Sequence, residues 1–296
     1  MVLARTNDAA VEAFCPKTRL RFLYADVSET ARRLARSHGC SEAAAPLLGK
    51  ALAGTALAGV DFVEPGERLV VSAEVRGRAA GWLTELDGDG HLRGALHENA
   101  PETLPCEPGG AEDDYWGAEA SAKATRLRAD GNVRSQMAFQ CRPGTPEACF
   151  TEMLSAAAPT RLCMVATLFE GEPDRVRALA LQLVHEGSRR EFKRVAKLFD
   201  DGTVADQLAF DATLPTMREV LSLDDLVTGP TRAIAFGCTC SRERVLESYA
   251  SVPREELEGM LRPLRPRVFR CHLCGRELTI APEDLVQLLQ KRSERR

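Results

Sequence analysis

The sequence predicts an α+β protein in three parts. These are an N-terminal domain of mainly antiparallel sheet packed with helices, a charged helical linker, and a small C-terminal four-cysteine zinc module. Three observations predict it. The hydrophobic period alternates between helical and strand-like stretches over the first 185 residues. A stretch dense in charge follows, with its apolar residues on one helical stripe. Four cysteines then gather near the C-terminus at the spacing of a closed thiolate site. The boundaries fall at 1–185, 186–235 and 236–296.

Composition bounds the reading. The 296 residues are 44% hydrophobic and 28% charged, enough for a sizeable core. A net charge of −4 argues against a general affinity for nucleic acid or anionic membranes. Residues 1–10 carry Arg5 and Asp8 and lack an apolar export signal. The most apolar stretch, Ala51 to Val60, is about half of what a bilayer span needs. A cytoplasmic location is therefore expected, where thiols stay reduced and cysteine pairs read as metal-binding or redox-sensing.

Taken in order, Leu20 to Ala25 reads as a strand. Ser28 to His38 reads as an amphipathic helix with Ser28 as cap and Gly39 as stop. Glu42 to Val60, rich in Ala, Leu and Gly, reads as a buried helix. The period then changes to two: Arg68 to Val75, Gly81 to Leu86 and His91 to His97 are strands, with Asp87-Gly88-Asp89-Gly90 as a hairpin turn. That turn is no calcium loop, because its sixth position is Leu92 where glycine is needed. Pro101 to Gly117 reads as loop. Lys123 to Ala129 and Val133 to Phe139 form another hairpin, Arg161 to Glu170 an apolar strand or buried segment, and Asp174 to His185 a helix.

The charged stretch Gly187 to Asp201 reads as a helix with Phe192, Val195, Leu198 and Phe199 on its apolar stripe. Further helices are expected from Thr216, where Thr216-x-x-Glu219 forms a capping box, and from Ser222. Short charged helices depend on docking for stability, so this segment is either a connecting layer or one poised to undock. Beyond it, Ser241 to Ala250 and Pro253 to Leu261 read as helices, Val268 to Cys271 and Leu278 to Ile280 as short strands, and Pro282-Glu283-Asp284 as the start of a last helix.

Cys238-Thr239-Cys240 and Cys271-His272-Leu273-Cys274 carry the chemistry. Two bites of two sulfurs complete a tetrahedron and leave no open position for water, which suits structure or switching and not hydrolysis. Soft thiolates favour Zn2+. His272 has a nitrogen to offer, but four sulfurs already fill the shell. Cys15, Cys40, Cys106, Cys141, Cys149 and Cys163 lack motif spacing. Cys40 and Cys163 read as small core residues, while Cys141 and Cys149 bracket a Pro/Gly-rich loop, where a bond between them under oxidation is one alternative and free thiols the other. Residues 236–296 hold 12 Lys/Arg against 9 Asp/Glu, and four thiolates with one Zn2+ bring that close to neutral, a weak phosphate binder. Gly49-Lys50 lacks the glycine spacing of a P-loop, and the five histidines show no catalytic clustering, so an enzyme is not expected. A zinc ribbon that docks nucleic acid or a protein partner, with purely structural zinc, is the competing class.

Gly237 to Val245, Glu255 to Leu261, and Cys271-x-x-Cys274-Gly275-Arg276 together resemble the 33-kilodalton heat-shock protein family of redox-regulated holdase chaperones. The likeness is specific over Phe236 to Leu289 and looser upstream. Leu278 stands where the family carries an aromatic residue. The resemblance implies Zn2+ on Cys238, Cys240, Cys271 and Cys274 in the reduced state. It implies Cys271–Cys274 and Cys238–Cys240 disulfides and zinc release on oxidation, unfolding clients as partners, and a homodimer on activation. Neither nucleic acid nor membrane is an expected partner. Release of the charged segment would then present Phe192, Val195 and Phe199 to clients.

Overall fold

The structure is a computed structural model that describes residues 8–97, 115–168, 174–210, 214–262 and 264–294. The chain forms two compact units, Met1–Gly237 and Cys238–Arg296.

The first unit is built on two sheets. β1 (Ala9–Cys15) and β2 (Leu20–Asp26) form a hairpin, β2 pairs with β9 (Arg175–Leu183), and β9 pairs with β8 (Thr160–Thr167). β10 (Val227–Ala233) closes the other edge against β1, giving the order β10-β1-β2-β9-β8, antiparallel throughout. The second sheet runs β11-β5-β4-β3-β6-β7, from β11 (Ala235–Phe236), β5 (His91–Leu96), β4 (Gly81–Asp87) and β3 (Arg68–Val75) to β6 (Ala120–Leu127) and β7 (Val133–Cys141). It is antiparallel except where β11 pairs with β5. The expected α+β class and mainly antiparallel sheet are what the chain adopts.

Helix α2 (Ala44–Phe62) packs against strands of both sheets and is buried along most of its length. Its small residues make that possible. A Cβ on Gly54 would stand 2.2 Å from the Phe150 ring, and one on Gly59 would stand 2.1 Å from Leu86. α1 (Ser28–His38) lies beside α2, but Ser28 is not its cap. The Asp8 carboxylate accepts the Glu29 and Thr30 amides at 3.1 and 2.7 Å instead, from a residue just ahead of β1. Ser28 is drawn into the sheet side, donating to Asp26 and accepting from the Val176 amide.

The expected helix over Asp174 to His185 is instead β9, the strand between β2 and β8. Its Ala/Leu-rich run is buried on both faces, so it carries no alternation, and tertiary pairing overrides helix propensity. The helix expected from Ser222 is replaced by a turn and β10, an edge strand where Pro230 is tolerated. Around Thr216, α6 (Leu214–Val220) is under way before the supposed capping box. The loop after Cys141 leads into a helix not anticipated from the sequence, α3 (Pro146–Ser155), with Thr145 as cap and proline at its first position. The loop reading of Pro101 to Gly117 and the role of Cys106 fall largely outside the described residues.

Helices α4 (Arg189–Asp200), α5 (Thr203–Phe210) and α6 cover the first sheet. Val195, Ala196, Val204, Leu208, Met217 and Leu221 pack on Leu20, Phe22, Tyr24, Leu179 and Leu181. The alternate residues Leu23, Ala25, Ala178 and Ala180 are buried as well, so β2 and β9 sit inside the unit. Residues 188–236 are thus docked on, or woven into, the first unit.

Candidate metal centre

The second unit brings the four expected cysteines together. β12 (Arg267–Arg270) and β13 (Glu277–Ile280) pair antiparallel, and Cys271 to Arg276 form the turn between them. Two backbone bonds close that turn, Cys271 N–H to Arg276 O and Gly275 N–H to Cys271 O, both 2.8 Å. Gly275 supplies a φ of +69°, a conformation glycine adopts without penalty. The other pair lies immediately before α7 (Arg242–Tyr249), whose first amides are capped by Ser241 Oγ at 3.3 Å from Arg244 N. α8 (Arg254–Met260) and α9 (Pro282–Glu294) complete the unit. Its fully apolar centre is small: Val245, Leu257, Ile280, Leu285 and Leu289.

All four sulfurs lie within 4.8 Å of one another. Cys238 Sγ is 3.9 Å from Cys271 Sγ, and Cys240 Sγ is 3.5 Å from Cys274 Sγ. A tetrahedral site with metal–sulfur bonds of about 2.3 Å has edges of about 3.8 Å, so these separations fit such an ion. The electrostatics fit as well. Burial, then the neighbouring Cys274 and Cys238 sulfurs, push the Cys240 thiol up to about 11. The Cys238 sulfur, then burial, raise Cys271 further. Four sulfurs this close need a cation to stay thiolates, which a divalent ion bound there would supply. His272 is not among the donors that converge.

Other expected residues fall elsewhere. Val195, on the inner face of α4, is fully buried, and Phe192 and Phe199 pack at the margin of the same cluster. Arg242, two residues after Cys240, is directed to Asp284 at the start of α9, with its Nε 3.0 Å from Oδ2. Arg244 reaches the Thr239 carbonyl and hydroxyl. Cys15 is buried and Cys163, half-buried, packs against the core under the first sheet, in keeping with the small-core reading, whereas Cys40 is only half-buried. Burial pushes the Cys15 and Cys163 thiols up to about 11, which makes them poor nucleophiles. Cys141 and Cys149 form a disulfide. Asp87, Asp89 and His91 also converge, but Asp87 Oδ1 already accepts the amides of Asp89 and His91 and so closes the β4–β5 turn. Neither the Asp8 cap nor the Arg242–Asp284 pair was visible as a motif, since each joins residues distant in sequence.

The sequence model of the Hsp33 protein family matches residues 8–281. The chain belongs to the Hsp33 family. Relatives agree: the 33 kDa chaperonin of Symbiobacterium thermophilum is 25% identical over 88% of this chain and 89% of its own. That of Deinococcus radiodurans is 24% identical over 91% and 94%. Among solved structures, a 33 kDa chaperonin of Thermotoga maritima matches with a TM-score of 0.76, covering 97% of this chain and 99% of that one. At 17% identity that likeness speaks for the Hsp33 fold alone. The names are those of chaperonins and not of enzymes. Among the described residues no helix is long and apolar enough to cross a membrane.

Proposed function

We propose that this chain is a redox-regulated, ATP-independent holdase of the cytoplasm, which binds unfolding proteins under oxidative stress. The convergence of Cys238, Cys240, Cys271 and Cys274 carries the reading. The donor set favours Zn2+, which when bound supplies the positive charge that keeps four adjacent sulfurs ionised. In that state the second unit is held at its turn and at the start of α7, on either side of a small apolar centre.

Thiolates are also what oxidants attack. One sulfur of a pair is oxidised by peroxide to the sulfenic acid, and its neighbour displaces water to close the disulfide. Each pair gives up two electrons, so two peroxides are reduced while Cys271–Cys274 and Cys238–Cys240 form. The C-x-x-C closes the less strained ring and reacts first. Sulfurs in disulfides no longer carry the charge that holds a cation. A structural zinc site is worth on the order of 10–16 kcal/mol, and a unit of this size with so small a core does not stay folded without it. Undocking of the charged helices would then present Phe192, Val195 and Phe199 to unfolded clients, with dimerisation extending that surface. No P-loop spacing occurs in the sequence, in keeping with ATP independence.

The test measures zinc per chain, free thiols and suppression of client aggregation on one preparation before and after warm peroxide. Loss of about one zinc with four thiols, together with a gain in holdase activity, is expected from the four-sulfur site. Retained zinc, or no gain in suppression, would sink the reading and leave a purely structural zinc module.

A further inference from the structure

Outside the four-cysteine centre, the first unit carries a cysteine pair that the holdase reading leaves unused. Cys141 ends β7 and Cys149 lies in the first half of α3; their Cα atoms are 5.3 Å apart in the disulfide. Both are buried.

The position of this pair says what it holds. β7 is an edge strand paired only with β6, and most of its residues are exposed. Such an edge is the part of a sheet that opens most readily. α3, by contrast, is anchored. Its Phe150 is buried against Gly54 of α2, the helix that both sheets cover. The loop between the two cysteines is fastened as well, with the Gly144 amide donating to the Gly117 carbonyl at 2.9 Å. Just before Gly117, the buried Trp116 meets Trp82 edge to face at 5.2 Å. A bond from Cys141 to Cys149 therefore fastens the open edge of the second sheet to α3, which is itself packed on the buried helix α2.

We propose that Cys141 and Cys149 are a second oxidation site, a reversible clasp that stiffens the first unit under the oxidant that loosens the second. The latter half rests on the holdase reading; the clasp itself does not. With peroxide, one thiolate is oxidised to the sulfenic acid with loss of hydroxide, and the other sulfur displaces water. Two thiols and one hydrogen peroxide give one disulfide and two waters. Two glutathione thiols reverse it by exchange, forming oxidised glutathione.

Both tryptophans of the chain, Trp82 and Trp116, lie in the first unit, so their emission follows the melting of that unit alone. The full zinc-loaded chain is held in reduced glutathione or treated with hydrogen peroxide. It is then quenched with N-ethylmaleimide, mapped by mass spectrometry, melted by tryptophan emission and assayed for released zinc. We expect alkylated Cys141 and Cys149 in the reduced sample and a Cys141–Cys149 linked peptide in the oxidised one. The oxidised midpoint should rise by about 5 °C, as a short-loop disulfide implies. Cys141→Ala/Cys149→Ala should abolish that rise and leave zinc release unchanged. The clasp is overturned by free Cys141 and Cys149 after peroxide, by a bond that persists in glutathione, or by bond formation without a higher midpoint. These comparisons within the wild-type chain hold whether or not the double variant folds. Linked peptide with zinc retained would sink the holdase reading and leave the clasp standing; zinc release without linkage would do the reverse.

Discussion

The two units are stabilised by different means. The first buries two sheets around α2, with whole strands such as β9 hidden on both faces. The second, among its described residues, gathers five buried apolar side chains, with partly buried neighbours around them, and four sulfurs. Burial in the first unit rests mainly on aliphatic and aromatic side chains that a mild oxidant leaves intact, and the Cys141–Cys149 disulfide adds a cross-link to them. On the proposed reading, order in the second depends on the oxidation state of four sulfurs beside that small core. A chain built so would lose one unit to a chemical signal and keep the other.

The largest test of this contrast is metal removal. With a strong chelator at neutral pH, or in Cys274→Ser, we expect the second unit to lose an amount of stability on the order of 10 kcal/mol. Amide exchange at Cys271 and Gly275 should become fast while the tryptophan-reported midpoint stays put. Protection that survives chelation would mean that the small core suffices alone. The converse experiment strikes only the first unit. Gly54→Val forces a branched side chain into the Phe150 ring and should cost about 3 kcal/mol by overpacking, with one zinc per chain retained.

A smaller effect comes from pH. Burial, outweighing its bonds to the Thr30 and Glu29 amides, pushes the Asp8 carboxyl up to about 6 from an ordinary 3.8. The folded state therefore holds this proton more tightly than the unfolded one. Between about pH 4 and 6 the contribution of Asp8 to stability falls as pH rises, by up to about 3 kcal/mol, and it stays low above that window. Asp8→Asn should flatten this slope in melts followed by tryptophan emission, and an unchanged slope would assign it to other groups. Smallest of all should be Arg242→Ala. Its pair with Asp284 joins α7 to α9 at the surface, where solvent screens it. Zinc content should be unaltered and the midpoint barely moved; a large loss would make this pair part of the centre.

The metal centre was legible in the sequence because four ligands at two short spacings are a local signal, and the turn that presents them is local too. The strands from β3 to β7 were legible for the same reason, through alternation and turn residues such as Asp87-Gly88-Asp89-Gly90. β9 was not, since an Ala/Leu run buried on both sides has no period to read. β1 and β10 were hidden differently. Their alanines, glycine and proline have weak strand preference, and each is made a strand by a partner far along the chain. The helix α3 did carry a signal, Thr145-Pro146, overlooked beside the Pro143-Gly144 turn. The cap on α1 carried none, because its acceptor, Asp8, lies outside the helix's own sequence.

The pairing of β1 with β10 has a consequence for how the chain is made. Ala9 lies opposite Ala233, so β1 finds its outer neighbour only near the end of the first unit. At about 5–20 residues per second, that wait lasts roughly 10 to 45 s. Through that interval β1 carries an unpaired edge, open to pairing with any other unfinished chain nearby. The molecule proposed as a guardian of unfolding proteins passes a long stretch of its own synthesis in the condition it guards against.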